Sequence, residues 1–316
     1  MPELPEVHTT ATGLQKVLPN LIISDVWTDY NSAFYVGKDN IKNKKYFKKF
    51  KKQIIGEKII SAGRRGKNVL IHLEDDLTIL VHMKMTGHLL YGTYKRVKSS
   101  KSKVESKNPN TTQWTSAEKG PLQDPFNRFV HFVITLSNGK HLTLSDMRKF
   151  AKITLVRTSN LHKSSDTGHL GPEPLDKKFT LKVFKNQLSK KPIGKIKTVL
   201  MDQTIISGIG NIYSDEILWE TGVCPLEQVK NLSIKNLEKM YKATKIILRK
   251  GINFGGDSMS DYRNIYGERG RFQNKHQAYR KTGEKCAKKN CRGIIVRIKV
   301  GGRSAHFCSA HQILHK

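Results

Sequence analysis

The chain has 316 residues, 37% of them hydrophobic, which allows one large domain or two ordinary ones. Lys and Arg number 57 against 26 Asp and Glu, a formal net charge of +31. This excess argues against an enzyme of small neutral molecules and favours a polyanionic partner, because each neutralised phosphate releases counterions. A surface charged only for solubility is the alternative, although such surfaces usually mix both signs.

The cysteines and the N-terminus exclude two further classes of protein. Three of the four cysteines lie close together near the C-terminus, which is too few and too clustered for a disulfide scaffold and fits a reducing cytosol. The opening MPELPEVHTT has neither the basic nor the apolar region of a secretory signal, and no apolar run approaches membrane-spanning length. We therefore expect a soluble cytoplasmic protein that does not contact a membrane.

The N-terminal segment predicts a helix. Apolar residues recur at helical spacing over residues 7–18, and Pro5 suits the first turn. If Met1 is removed, Pro2 presents a secondary amine, and attack of such an amine on a sugar carbon gives an iminium that permits elimination of phosphate. Glu3 beside it could give or take a proton. A plain helix-start signature explains Pro2 better when that residue is considered alone.

Residues 22–155 have strand-like patterning and predict a β-sandwich. Short apolar runs are separated by turn signals and cover residues 53–61, 68–73, 78–83 and 129–136. Within this region, residues 63–67 predict a tight basic turn. Its Arg side chains suit phosphate and Lys67 could be a point charge or a proton carrier, with a merely solvated turn as the alternative.

Residues 95–127 interrupt the strand pattern. They are rich in Lys, Ser, Thr and Asn and poor in aliphatic residues. This composition predicts a long, mobile, basic loop inserted between strands. Such a loop either touches phosphates or is a passive insertion.

The second half of the chain has helical patterning. The polar, turn-prone stretch 157–172 predicts a domain boundary, and residues 177–252 then carry apolar stripes at helical spacing. Gly208 and Gly210 break one helix and start another. The N–H groups at that helix start suit an anion, although a structural helix corner is an equal alternative.

A metal site is predicted near the C-terminus by four side chains: Cys286, Cys291, Cys308 and His311. Two pairs of soft ligands, separated by a span long enough for a β-hairpin, suit tetrahedral zinc. So small an element would draw its folding energy from the metal, so we expect one structural Zn²⁺ per chain. His311 is the least secure ligand, because His306 and His315 are close to it in sequence.

Short motifs follow one another along the chain: residues 1–7 (MPELPEV), 65–67 (RGK), 82–87 (HMKMTG), 145–150 (SDMRKF), 170–174 (LGPEP) and 208–213 (GIGNIY), then the cysteine cluster. In sequence and in order they resemble the signatures of the formamidopyrimidine-DNA glycosylase family, which also includes the endonuclease VIII-like enzymes. The resemblance covers nearly the whole chain.

The resemblance implies an α+β protein: an N-terminal helix with a two-sheet β-sandwich, then a helix–two-turn–helix domain with a C-terminal β-hairpin zinc finger. The implied boundaries are residues 1–156 for the catalytic domain, 157–172 for a linker, 173–279 for the helical domain with a substrate-capping loop, and 280–316 for the finger. A monomer would bind double-stranded DNA with a damaged base in the cleft between the domains. The target nucleotide would be flipped out of the stack.

The same resemblance implies residue roles. Pro2 would attack the sugar carbon and expel the base, with Glu3 as the acid for this step. Lys67 would donate protons in the eliminations, and Arg303 of the finger would hold phosphate and assist the second elimination. The other matches contact DNA: Met85, Arg148 and Phe150 fill the space left by the flipped base, and Lys197 and Asn211 grip phosphates.

Several positions depart from the family pattern. The family finger is usually Cys-x2-Cys-x16-Cys-x2-Cys, so the first knuckle must differ here. Phe129 replaces one of two common histidines, which leaves His131, and Lys149 replaces a common arginine. The insertion at residues 95–127 is longer than is typical.

The lesion is suggested by two features. Leu4 and the glycine-rich stretch 255–275 resemble the branch of the family that acts on oxidised purines, which favours 8-oxoguanine and formamidopyrimidines. The alternatives are a glycosylase for oxidised pyrimidines and a non-catalytic DNA-binding relative. The second is disfavoured by the joint presence of Pro2, Glu3, Lys67 and Arg303, since it has no need of proton donors.

Overall fold

The computed structural model describes residues 1–98 and 112–314. It opens with a helix, α1 (Leu4–Val17), whose start is stabilised by Pro5 in the first turn and by a capping box. In that box the Glu3 side chain accepts from the backbone of Glu6, and the Glu6 side chain accepts from the backbone of Glu3. The first residues of the chain are therefore held in one conformation.

Two four-stranded antiparallel sheets follow and form the expected sandwich. One sheet has the order β1 (Ile23–Thr28), β8 (Val130–Leu136), β9 (His141–Ser145) and β5 (His88–Gly92). The other has the order β10 (Lys152–Arg157), β4 (Leu77–His82), β3 (Asn68–Leu73) and β2 (Ile59–Arg65). Their inner faces share one buried apolar core, so the prediction of a β-sandwich is confirmed.

Two elements of this half differ from the sequence prediction. Residues assigned to strand-like structure include a helix, α2 (Lys44–Ile54). Its aromatic and aliphatic residues form one stripe, in which Phe50 packs against Phe132 of β8 at 6.1 Å between ring centroids. The insertion is not a loop throughout, because β6 (Tyr94–Lys98) pairs with β7 (Thr112–Ser116). The tip of this hairpin lies outside the described residues.

The second half of the chain is built on helices around a separate apolar cluster. They are α3 (Leu181–Leu188), α4 (Ile196–Met201), α5 (Asn211–Thr221) and α6 (Ile234–Asn253). Gly208, with φ of +92°, makes the turn before α5. After α6 and an irregular segment, β11 (Ile295–Val300) and β12 (Arg303–Cys308) form the expected C-terminal hairpin.

The helix α1 joins the two halves. Val7 and Leu14 are buried in the core of the sandwich, whereas Leu4 is buried in the helical cluster. Among the described residues, no helix is long and apolar enough to cross a membrane.

Candidate active site

Two cavities meet at the N-terminus. The first, of about 280 Å³, is lined by Pro2 and by residues from the segment after α6. The second, of about 520 Å³, is lined by Glu3, Lys67 and Arg303. Met1 lines both, so the four side chains predicted for catalysis line two adjoining cavities. They come from α1, the β2–β3 turn and the finger hairpin, and no short segment of sequence contains them together.

The carboxylate of Glu3 caps the start of α5. Its Oε1 accepts from the backbone N–H of Ile212 at 2.9 Å and its Oε2 from that of Tyr213 at 3.3 Å. A carboxylate in this position is stabilised by the positive end of the helix. The approach requires Gly210, since a Cβ there would lie 2.5 Å from Oε1 of Glu3 and 2.7 Å from Nζ of Lys67.

Lys67 is buried beside Glu3. Burial lowers the pKa of its amine, and the nearby Arg303 lowers this pKa further, while Glu3 and Glu6 oppose the shift. An amine whose pKa falls toward neutrality gives up a proton more readily than an exposed lysine. The side chain is therefore suited to proton transfer in the second cavity.

Glu6 was not singled out by the sequence analysis. Glu6 lines the first cavity and accepts hydrogen bonds from the hydroxyl of Tyr213 at 2.7 Å and the backbone of Asp257 at 2.8 Å. Burial, and then the charge of Glu3, raise its pKa to about 7. The only sequence signal was its capping-box spacing from Glu3.

Two of the three residues predicted to fill the gap in the base stack, Met85 and Arg148, line the first cavity. Met85 is half-buried and lines both cavities, whereas Arg148 and Phe150 are exposed, with the guanidinium 4.5 Å from the ring centroid. Their turn is anchored by the buried Asp146, which accepts from Thr86 and from the backbone of Ala151. Exposed side chains on a fixed turn are suited to insertion into a base stack.

The retained histidine and the lysine that replaces a common arginine contact one carboxylate near this turn. Both His131 and Lys149 lie close to Asp29, at 2.9 and 3.3 Å. Lys149 also adopts a positive φ of +56°, which is uncommon for a residue other than glycine.

Lys197 does not have the surroundings expected of a residue that grips phosphate. Its side chain is fully buried, and its amine donates to Asp215 at 2.6 Å, to Ser214 at 2.9 Å and to the backbone carbonyl of Asn211 at 3.0 Å. All three N–H groups are used internally, which leaves none for a phosphate in this geometry. Lys197 instead holds the first turn of α5.

Asn211 is better placed for such a contact. It lines the second cavity, and its amide nitrogen donates to Ser304 of β12 at 3.3 Å. Its Oδ1 has no hydrogen-bond partner among the described residues. The finger is bonded to the same helix through Asp215, which accepts from both the backbone and the ring of His306.

The arginines of the basic turn act within the protein. Arg64 and Arg65 contact Glu173 at 2.5 and 3.1 Å, and Arg65 also donates to the carbonyls of Leu170 and Gly171. The sequence predicted that these guanidinium groups bind phosphate. In the structure they instead bond the sandwich to the stretch that precedes the helical half.

The four predicted metal ligands come together. Their donor atoms all lie within 4.8 Å of one another, with Nδ1 of His311 at 3.4 Å from the sulfur of Cys286 and 3.6 Å from that of Cys291. The other ring nitrogen of His311 lies 3.1 Å from the carbonyl of Trp219. A bond donated there leaves Nδ1 unprotonated and free for a metal. His306 is engaged with Asp215 and is not a competing ligand.

Comparisons with known proteins agree with this architecture. Residues 1–153 match the family profile of the formamidopyrimidine-DNA glycosylase N-terminal domain, and residues 170–263 match that of the formamidopyrimidine-DNA glycosylase H2TH domain. The chain belongs to the formamidopyrimidine-DNA glycosylase family. It is accordingly a DNA glycosylase of DNA repair, as the motifs predicted.

Individual relatives match over almost their full length. The formamidopyrimidine-DNA glycosylase of Pelotomaculum thermopropionicum is 34% identical over 312 residues, which is 99% of each chain. That of Streptococcus pneumoniae is 33% identical over 310 residues, covering 98% of this chain and 97% of the other.

Solved structures match as well. The complex of the Lactococcus lactis enzyme with DNA that contains an abasic site superposes with a TM-score of 0.78 at 30% identity and covers 98% of this chain and 99% of that one. A point variant of the same enzyme, in a complex with DNA that contains Fapy-dG, has a TM-score of 0.79 at 30% identity and the same coverage.

Proposed function

We propose that this glycosylase is bifunctional: it excises oxidised purines, 8-oxoguanine and formamidopyrimidines, through a Schiff base on Pro2 and then cleaves the strand by β,δ-elimination. One observation carries the proposal, namely that Pro2, Glu3, Lys67 and Arg303 line a pair of adjoining cavities. The Lactococcus lactis complexes with abasic-site DNA and Fapy-dG DNA add support from relatives.

The first step forms a bond and breaks one. After Met1 is removed, the nitrogen of Pro2 attacks C1′ of the flipped nucleotide, and the bond from C1′ to the base breaks. Glu3 serves as the acid for this step. The Pro2 nitrogen then gives up its proton, the bond from C1′ to the ring oxygen breaks, and that oxygen takes a proton to become the C4′ hydroxyl, which leaves an iminium between Pro2 and the opened sugar.

The eliminations follow from the acidity of that iminium. A proton leaves C2′, the C3′–O bond breaks and the 3′ phosphate departs; loss of a C4′ proton then expels the 5′ phosphate. Lys67, with its lowered pKa, supplies protons during these steps. Arg303, exposed at the tip of the finger hairpin, holds a phosphate as it departs.

The remaining DNA contacts belong to the same proposal. Met85, Arg148 and Phe150 fill the gap that the flipped nucleotide leaves in the stack, and Asn211 contacts a phosphate near the start of α5. The protein acts as a monomer in the cytoplasm. The monomeric state is supported by the site, whose residues all come from one chain. The boundaries 1–156, 157–172, 173–279 and 280–316 are supported by three apolar clusters, which they separate except at Leu4, Trp219, Ile265 and Ala278.

We also propose that Cys286, Cys291, Cys308 and His311 hold one structural Zn²⁺. The donor set and the separations of the ligand atoms fit a tetrahedral ion. Bound there, zinc would supply the folding energy that the small finger lacks, and so fix Arg303 at the cavity.

Borohydride reduction tests the covalent step. A trapped complex should form on duplexes that contain 8-oxoguanine and vanish when the N-terminal amine is blocked; Pro2→Gly is not sufficient, because its primary amine also forms an imine. A preparation that retains Met1 should bind DNA and cut nothing, because its Pro2 nitrogen is an amide. Absence of any trapped species from the processed wild-type protein, on oxidised bases and on abasic sites alike, contradicts the proposal. Faster excision of thymine glycol than of 8-oxoguanine would instead favour the oxidised-pyrimidine alternative.

A further inference from the structure

A buried arginine lies in the glycine-rich segment, residues 255–275. Only 1% of Arg263 is exposed, and all three nitrogens of its guanidinium donate hydrogen bonds. Nε and Nη2 make three bonds of 3.0–3.2 Å to the carboxylate of Asp124, and Nη1 donates to the carbonyls of Ser260 and Tyr262 at 3.0 and 2.9 Å. The ring of Phe126 lies 4.9 Å from the guanidinium carbon. So complete a set of contacts fixes the surrounding backbone.

Asp124 belongs to a different part of the fold. It lies in residues 117–128, called here the anchor segment, which follows β7. Its Oδ1 accepts from the backbone of Phe126 at 2.9 Å. The side chain of Asn127 holds the segment in place, bonding Pro121 and His88 at 2.9 Å each. The anchor segment is therefore a fixed part of the sandwich.

Two further contacts attach the glycine-rich segment to the same side of the protein. The carbonyl of Ile265 accepts from the backbone of Tyr91 at 2.7 Å, and the Ile265 side chain is buried in the sandwich core. Gly267, with φ of +83°, passes so close to the anchor segment that a Cβ would lie 2.6 Å from the carbonyl of Pro121. The glycine-rich segment is thus held at three successive points.

The residues that Arg263 holds also line the first cavity. Ser260 and Tyr262, whose carbonyls accept from Arg263, border the cavity that contains Pro2. We propose that Asp124 and Arg263 form a positioning pair that shapes the base-binding wall of this cavity before DNA arrives. The inference rests on the proposed function and deepens it, because it assigns the anchor segment a role in base excision.

The physical reason is preorganisation. A wall that is already ordered spares the complex the entropy of ordering it on binding. Loss of either partner leaves the other charge buried and unpaired, which favours opening of the glycine-rich segment. Excision of a damaged base requires this wall, whereas cleavage at an abasic site places no base against it. Loss of the pair should therefore slow base excision without slowing abasic-site cleavage.

The experiment compares single-turnover rates on two duplexes, one with 8-oxoguanine and one with a preformed abasic site. In Asp124→Asn and in Arg263→Lys, which keeps the charge but loses the fork, base excision should fall at least tenfold. Abasic-site cleavage should stay within twofold. The double variant should lose no more excision rate than the more impaired of the two single variants, since the two side chains act as a unit. Asp25→Asn, at the half-exposed Lys51–Asp25 pair, is the matched control and should change neither rate.

Hydrogen exchange supplies a readout that does not depend on activity. Amides of residues 258–270 should exchange at least tenfold faster in both single variants, with thermal melting as the check on folding. The proposal is wrong if folded variants excise 8-oxoguanine within threefold of the wild type, or if both rates fall equally. If the wild type excises no base, the proposed function fails, and unchanged exchange in the variants would still reject the pair. If Asp124→Asn does not fold, the rates and hydrogen exchange of Arg263→Lys alone test the proposal.

Discussion

Gly210 is the position at which a single methyl group should damage the candidate active site most directly. Its backbone is extended, with φ of −134°, so alanine meets no conformational penalty there. The added Cβ would, however, lie 2.5 Å from Oε1 of Glu3 and 2.7 Å from Nζ of Lys67. Ordinary contacts begin at about 3.5 Å, so both groups must retreat by about 1 Å.

That displacement has a definite expected cost. A misplacement of about 1 Å can lower a rate about 100-fold, which corresponds to about 2.7 kcal/mol of activation free energy. Glu3 also loses its bond to the start of α5, so the N-terminus shifts with it. We therefore expect Gly210→Ala to lower both excision and abasic-site cleavage about 100-fold.

The assay is single-turnover cleavage of abasic-site DNA, combined with borohydride trapping and thermal melting. Gly63→Ala is the matched control, because a Cβ at Gly63 meets only the ring of His72 at 4.0 Å. If Gly210→Ala is folded and cleaves within threefold of the control, close packing of Glu3 and Lys67 is not what sets the rate.

Three other outcomes are expected. Zinc analysis should find about one ion per chain, and Cys308→Ser should lower both zinc content and DNA affinity; full zinc content in this variant would refute the ligand set. Asp215→Asn should lower the free energy of unfolding in urea by about 3–5 kcal/mol, because it leaves the charge of Lys197 buried without its partner. Glu6 has a pKa of about 7 in the folded protein against an ordinary 4.5, so as the pH rises the unfolded chain loses this proton before the folded protein does. Stability should therefore fall as the pH rises from 4.5 to 7, by on the order of 3 kcal/mol, and Glu6→Gln should flatten this part of the urea-derived profile.

The sequence predicted those parts of the fold that have a local signature. The sandwich followed from strand runs with turn signals, and the finger from ligand spacing. The helix α2 was missed because its lysines dominate the composition and hide a stripe of Tyr46, Phe50 and Ile54 at helical spacing. The β6–β7 hairpin was missed because a polar, lysine-rich segment has no apolar alternation to reveal a strand.

The sequence could nominate residues for the candidate site, but it could not show how their side chains are connected. Spacing cannot show which acceptors a buried amine finds, so Lys197 was assigned to phosphate when its partners lie within the protein. Likewise, the ion pair between Asp124 and Arg263 joins residues 139 apart, and no local pattern marks either of them. Such contacts depend on how the elements pack.

The capping of α5 by Glu3 has a consequence for the order in which the protein matures. The hydrogen bond from Ile212 to Glu3 joins residues 209 apart, and that from Tyr213 to Glu6 joins residues 207 apart. Contacts of such long range form late in folding, because the intervening loop must first be closed. Residues 3–6 therefore make their final contacts only after residues 212–213 have been synthesised, and a chain that ends before these residues cannot complete the candidate active site.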